Sequence, residues 1–159
     1  MTKVILMLGL LNLSEQSNRM TTSASANKSS NRTRQRTNKP RLLVLETSRY
    51  QKLFEALLGE DYELLSTDQP GEAIMIAASE NPDLILLSHS AETSDGIMVA
   101  REIRETTSSV VPILIMLTTD LPSLRREAQK AGCNDFLIKP VDPEKLKSQI
   151  EQWLKAKPE

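Results

Sequence analysis

Asn81-Pro82-Asp83-Leu84-Ile85-Leu86-Leu87-Ser88 decides how the rest of the chain reads. Leu84 to Leu87 form an unbroken apolar run between turn formers, the pattern of a strand covered on both faces within a parallel sheet. Such a strand delivers the next residue to the carboxyl edge of the sheet, where open α/β folds place their chemistry. Here that residue is Ser88. A polar loop follows and ends at Asp95-Gly96.

The pattern repeats on both sides of this strand. Upstream, Arg41 to Glu46 (RLLVLE) predicts a first buried strand, and Ser48 is placed to cap a helix with Tyr50, Leu53, Phe54, Leu57 and Leu58 on one face. Gly59 ends that helix. Tyr62 to Thr67 reads as a second strand, followed by a helix to about Glu80 with Asp68 as candidate cap and Ala73, Ile74, Ala77 and Ala78 as its inner stripe. Downstream of Gly96 a helix buries Ile97, Ala100 and Ile103. Pro112 to Leu117 is a fourth strand. Leu121, Leu124, Ala128 and Ala131 recur at helical spacing before Gly132, and Asp135 to Ile138 is a short fifth strand. Asp142-Pro143 is a cap with a first-turn proline, and Leu146, Ile150, Trp153 and Leu154 pack the last helix. Five strands alternating with five helices predict right-handed crossovers and a flavodoxin-like, doubly wound parallel sheet over residues 41–156.

Composition narrows the function. A chain of 159 residues with 39% hydrophobic content supplies one core, and five aromatics leave aliphatic side chains to fill it. Met75, Met98 and Met116 read as core filler. One cysteine, Cys133, excludes an internal disulfide and a cysteine-clustered metal site, and favours a reducing cytoplasm. The single histidine, His89, argues against a histidine-based zinc site. It also lies on the opposite strand face from Ser88, which unsuits it as that serine's base.

Residues 1–40 differ in character, with seven Lys/Arg against one acid. Val4 to Leu13 is apolar but about half the length a helix needs to cross a bilayer. It resembles a weak signal peptide, yet the cleavage-like Ala24-Ser25-Ala26 lies far beyond it across polar residues. A translation start at Met20 or a fold-back segment accounts for it equally well. Thr21 to Pro40 has little to bury, so a disordered, basic N-terminal extension is predicted. Lys28, Arg32, Arg34, Arg36 and Lys39 leave contact with nucleic acid or membrane open, but no aromatic residues are interleaved for base stacking.

The PDLILL strand, Asp95-Gly96, the PILIMLT strand and the segment Ala131-Gly132-Cys133-Asn134-Asp135-Phe136-Leu137-Ile138-Lys139-Pro140 together carry a family resemblance. From Arg41 to about Lys155 the chain resembles the receiver domain of two-component response regulators. In that family an aspartate ending the third strand accepts a phosphoryl group, two acids ending the first strand hold Mg²⁺, and a lysine ends the fifth strand. The resemblance assigns Lys139 to the lysine, with a cis bond to Pro140. It assigns Phe136 to the switch aromatic, and Thr118, or one residue earlier Leu117, to the phosphate-sensing hydroxyl. Glu46 and Thr47 fall on the acidic-pocket positions, Ser88 on the phosphoacceptor position, and Glu92 on a usual proline.

With two of three carboxylates replaced, Mg²⁺ binding is expected to be lost or weak, because Mg²⁺ requires hard oxygen ligands in octahedral geometry. Two roles are open for Lys139: an anion-binding group, or a structural partner of Glu46. Ser88 reads as a solvated or locally bonded hydroxyl, or as a kinase-made phosphoserine beside Lys139. Phe136 reads as core packing or as the switch.

The resulting expectation is a non-enzymatic, single-domain pseudo-receiver, acting in two-component or phosphorelay-type signalling through protein–protein contact and without aspartate phosphorylation. Its partner would be a sensor kinase or another signalling protein. The helix 4–strand 5–helix 5 face, with Arg125, Arg126, Lys130, Lys145 and Gln149 as candidate docking residues, suits either an acidic partner patch or a symmetric homodimer. The chain ends at Glu159 soon after the last helix, so output is expected from docking, from the basic tail or from a separate protein. The alternatives are a response regulator phosphorylated at an atypical site, Ser88, and a hydrolase-like enzyme built on Glu46, Thr47, Ser88 and Lys139.

Overall fold

A computed structural model describes residues 38–90 and 95–156. The elements are β1 (Arg41–Leu45), α1 (Ser48–Leu58), β2 (Glu63–Thr67), α2 (Pro70–Ser79), β3 (Leu84–His89), α3 (Gly96–Thr107), β4 (Ile113–Leu117), α4 (Pro122–Lys130), β5 (Asp135–Ile138) and α5 (Pro143–Lys155). The five strands form one parallel sheet in the order β2-β1-β3-β4-β5. This is the flavodoxin-like architecture that the alternation of apolar strands and amphipathic helices predicts.

Period-2 alternation in β3 divides the core. Leu84 and Leu86 join Leu42, Val44, Leu114, Met116 and Leu137 beneath α1 and α5. Ile85 and Leu87 join Leu43, Leu45, Ile113, Ile115 and Leu117 beneath α2, α3 and α4. All four apolar side chains of β3 are buried, and burial of each stabilises the fold by about 1.5–3 kcal/mol. A strand so covered cannot shift by one residue without exchanging its two faces, so the position of Ser88 is fixed.

Two glycines serve close approaches. A Cβ on Gly96 would lie 2.5 Å from the Ser88 carbonyl oxygen, so only glycine lets α3 start against the end of β3. Gly132 has φ +98° and follows α4, allowing the chain to turn into β5. The Arg104 side chain packs over Gly132. Its guanidinium donates to the Gly132 carbonyl (3.0 and 3.1 Å), the Ser109 carbonyl (2.8 Å) and Asn134 Oδ1 (2.8 Å). Asn134 Oδ1 also accepts from the Ile113 amide (2.8 Å), so one arginine ties α3 to the entrances of β4 and β5. Arg104→Ala is expected to cost about 2 kcal/mol by removing the donor from the Gly132 and Ser109 carbonyls, measured by urea denaturation. A loss below about 0.5 kcal/mol would mean that water replaces the guanidinium.

Cys133 packs partly against the α2–α4 core, and burial pushes its thiol up to about 12 from 9.0. The neutral thiol is therefore the folded form. Its contribution to stability is present below pH 9 and is lost as the pH rises toward 12. At pH 8 a disulfide reagent should label the native protein at least roughly tenfold more slowly than the urea-unfolded chain. Equal rates would contradict the burial.

Several sequence expectations are corrected. Ser48 is the first helical residue, and Thr47 is the N-cap without a side-chain cap bond. Asp68 does not cap α2: Gln69 does, while Thr67 Oγ1 accepts the Gln69 amide (3.0 Å) and donates to Glu72 Oε2 (2.5 Å). Ala78 faces solvent, and of the three methionines read as core filler Met116 alone is buried; Met75 and Met98 are 70% and 42% exposed. On α1, Phe54 and Leu58 are buried but Tyr50 and Leu53 are exposed, because the apolar stripe is wider than the surface beneath it. The Asp142 cap holds: its carboxylate accepts from the amides of Glu144 (2.8 Å) and Lys145 (3.1 Å).

Candidate functional site

The strand registers carry the site. β1 and β3 pair Leu45 with Leu87, so Glu46 and Ser88 stand side by side one residue later, on the α1/α5 face. Ser88 pairs with Met116, and Met116 with Leu137. Lys139 is the next position on that face of β5, about 6.6 Å further along, a gap that a lysine side chain can bridge by reaching back. It does so. Lys139 Nζ lies 2.6 Å from Glu46 Oε2 and donates to Ser88 Oγ at 2.6 Å.

Burial makes this cluster consequential. Ser88 is 0% and Glu46 1% exposed, and the Lys139 side chain is 19% exposed. The second Glu46 oxygen accepts the Thr47 amide at 2.9 Å. Both oxygens of the carboxylate are thus engaged within the protein, as a buried charge requires. The Gln51 side chain donates to the Glu46 carbonyl (2.9 Å) and fixes the β1–α1 turn. On the open side, the Lys139 ammonium lies 5.3 Å from the centroid of the Tyr50 ring. The Lys139–Pro140 bond is cis, as anticipated.

Parity places Thr118 and Leu117 on opposite faces of the sheet. Leu117 points into the α2–α4 core, whereas Thr118 is exposed and lines the same groove as Glu46, Thr47 and Lys139. His89 follows Leu117 in parity, opposite Ser88, so the two are not brought together. Glu92 lies outside the described residues. Among the described residues no group of three or more Asp, Glu, His or Cys side chains is arranged to hold a metal ion.

Phe136 lies on the other side of the sheet, packed against the α2–α4 core with the Arg125 guanidinium 4.1 Å from its ring centroid. Arg125 also forms a two-bond ion pair with Asp120 (2.5 and 2.7 Å). Gln149 donates to Asp135 Oδ2 (3.3 Å), which also accepts from the Trp153 indole (3.0 Å). Of the candidate docking residues, Arg126, Lys130 and Lys145 are exposed, whereas Arg125 and Gln149 are engaged internally. Asp135 as the anchor between β5 and α5 was missed by sequence reasoning; nothing in its local pattern separates it from a solvated acid.

A parallel five-stranded sheet with a lysine, a carboxylate and a hydroxyl converging at its carboxyl edge defines a receiver-type α/β domain. A model of the response regulator receiver domain matches residues 42–151, and the chain belongs to that family, the receiver module of two-component signalling. Protein PilH of Pseudomonas aeruginosa is 26% identical over 117 residues, covering 72% of this chain and 97% of PilH. Transcriptional regulatory protein ResD of Bacillus subtilis is 30% identical over 121 residues, which is 75% of this chain but 50% of ResD. The chain therefore spans nearly the whole of one relative and half of the other. Among solved structures, the receiver domain of sensor histidine kinase PA1611 from P. aeruginosa is 27% identical with a TM-score of 0.66, covering 74% of this chain and 98% of that one. That protein holds a magnesium ion coordinated in its active-site cleft. Among the described residues of the present chain, no helix is long and apolar enough to cross a membrane.

Proposed function

We propose that this chain is a pseudo-receiver, a receiver domain that signals by protein contact without accepting a phosphoryl group on an aspartate. The single observation that carries the proposal is the closed cluster Glu46–Lys139–Ser88. A buried hydroxyl stands at the end of β3, and the lysine is already neutralised by a carboxylate of the protein.

The residues present do not fit Mg²⁺. Both oxygens of Glu46 are engaged, Thr47 brings no charge, and Ser88 brings a neutral hydroxyl already bonded to an ammonium. A divalent ion with hard-ligand requirements gains too little here to break the Lys139 pair. The same burial weighs against phosphorylation of Ser88 by a protein kinase, since a fully covered side chain at the end of a central strand cannot enter another enzyme's active site. A Ser–Lys hydrolase needs a lysine free to take the serine proton, and Lys139 Nζ is instead held 2.6 Å from the Glu46 carboxylate. A cytoplasmic setting, with a sensor kinase or another signalling protein as partner, belongs to the same proposal and is supported by family membership.

Incubation with acetyl phosphate and excess Mg²⁺, followed by intact-mass measurement, tests the proposal. The expected result is an unchanged mass. A labile gain of one phosphoryl group overturns it.

A further inference from the structure

A groove of 540 Å³ runs from the Lys139 cluster along α1 to the start of α5. Its walls are Tyr50, Leu53, Phe54 and Leu57 from α1 and Val141 and Leu146 from the β5–α5 side. Polar groups gather at one end, where Glu46, Thr47, Ser90, Thr118 and Lys139 line it. The volume falls in the range of small-ligand sites, about 300–1,000 Å³, and so does the chemistry, apolar walls with a few convergent polar groups.

Two further observations point to an occupant. Tyr50 and Leu53 are large apolar side chains left 44% and 51% exposed beside the groove, surface that a ligand would remove from water. At the polar end, the Lys139 ammonium has three N–H groups, and among the described residues it donates to two acceptors, Glu46 and Ser88. The third N–H and the exposed Thr118 hydroxyl are donors at the mouth of an apolar channel. Because Glu46 already balances the lysine charge, a doubly charged phosphate gains less here than a singly charged, planar carboxylate able to accept from both donors.

We infer that this groove binds a small amphipathic organic carboxylate, its apolar body along α1 and its carboxylate at Lys139 and Thr118. The inference does not depend on whether Ser88 accepts a phosphoryl group. Acetyl phosphate tests that question, and ligand titration tests this one.

The probe is anilinonaphthalene sulfonate, an apolar aryl anion whose fluorescence rises on leaving water, titrated into the full-length chain. Saturable one-to-one binding is expected, displaced by decanoate and at least roughly fivefold less well by decanol, whose single neutral oxygen forms no charge-assisted bonds. Leu53→Gln, at an exposed helix position that leaves folding intact, should weaken binding by about fivefold. Met75→Gln, at an exposed apolar position on α2 away from the groove, should leave it unchanged. Absence of saturable binding, or equal weakening by the Leu53 and Met75 variants, overturns the site. Equal displacement by decanol and decanoate overturns its preference for a carboxylate.

Discussion

Lys139→Met will destabilise the domain by about 3 kcal/mol, lowering its melting temperature by roughly 12–24 °C for a domain of this size. The side-chain volume is nearly preserved, so packing is not the cause. Removal of the ammonium leaves the Glu46 carboxylate, 1% exposed, with only the Thr47 amide against its charge, and leaves Ser88 Oγ without its 2.6 Å donor. A buried carboxylate that loses its counter-ion is costly, whereas replacing both members of a pair costs much less. The double variant Glu46→Gln with Lys139→Met should therefore recover about half or more of the loss. Urea denaturation of the wild type, both single variants and the double variant gives the coupling directly. Additive losses, or a Lys139→Met cost below about 1 kcal/mol, would mean that water hydrates Glu46 in spite of its burial.

The second large effect is a gain. Thr47→Asp combined with Ser88→Asp places two more carboxylates around Glu46 and Lys139. Without a metal the like charges repel, so the double variant should be less stable than the wild type. Mg²⁺ would relieve that repulsion, and at a tenfold excess over its Kd it should stabilise the variant by about 1.4 kcal/mol. The wild type should show no such response. Thermal unfolding in MgCl₂ and in NaCl of matched ionic strength separates the cases, since NaCl reports the screening of like charges alone. A wild-type midpoint that rises with Mg²⁺ as much as the variant's would overturn the proposal that this site does not hold Mg²⁺. Ser88→Asp alone is expected to respond weakly, because it supplies one ligand and leaves Thr47 neutral.

These two experiments address the same geometry from opposite sides. The first asks how firmly the lysine is held by the protein's own carboxylate; the second asks what the missing charges would do if restored. Under the proposed reading the lysine is neutralised by Glu46, and Arg126, Lys130 and Lys145 are the exposed members of the docking face anticipated from sequence.

The chain's primary structure alone determined the architecture. Unbroken apolar runs such as Leu84 to Leu87 demand cover on both faces, and helical stripes such as Leu146, Ile150 and Trp153 supply it, so alternation of the two leaves few other solutions. It also determined which residue types stand at the sheet's carboxyl edge, because Glu46 and Lys139 directly follow strands and Ser88 stands one residue before the end of β3. Local sequence misplaced the caps at Ser48 and Asp68 and buried Met75, Met98 and Ala78 too deeply. Amphipathic periodicity indicates a face but not how much surface waits beneath it.

What only the tertiary structure decided was contact across strands. Register brings Glu46 beside Ser88, and the pleat sets Lys139 one step beyond them on the same side, so an ammonium 93 residues distant in sequence closes on the carboxylate. Parity sent Leu117 into the core and left Thr118 at the groove. The width of α1's apolar stripe was legible beforehand as five positions. That Tyr50 and Leu53 stay uncovered followed only from where α5 begins, since the space between two helices is a property of their packing and of neither sequence segment alone.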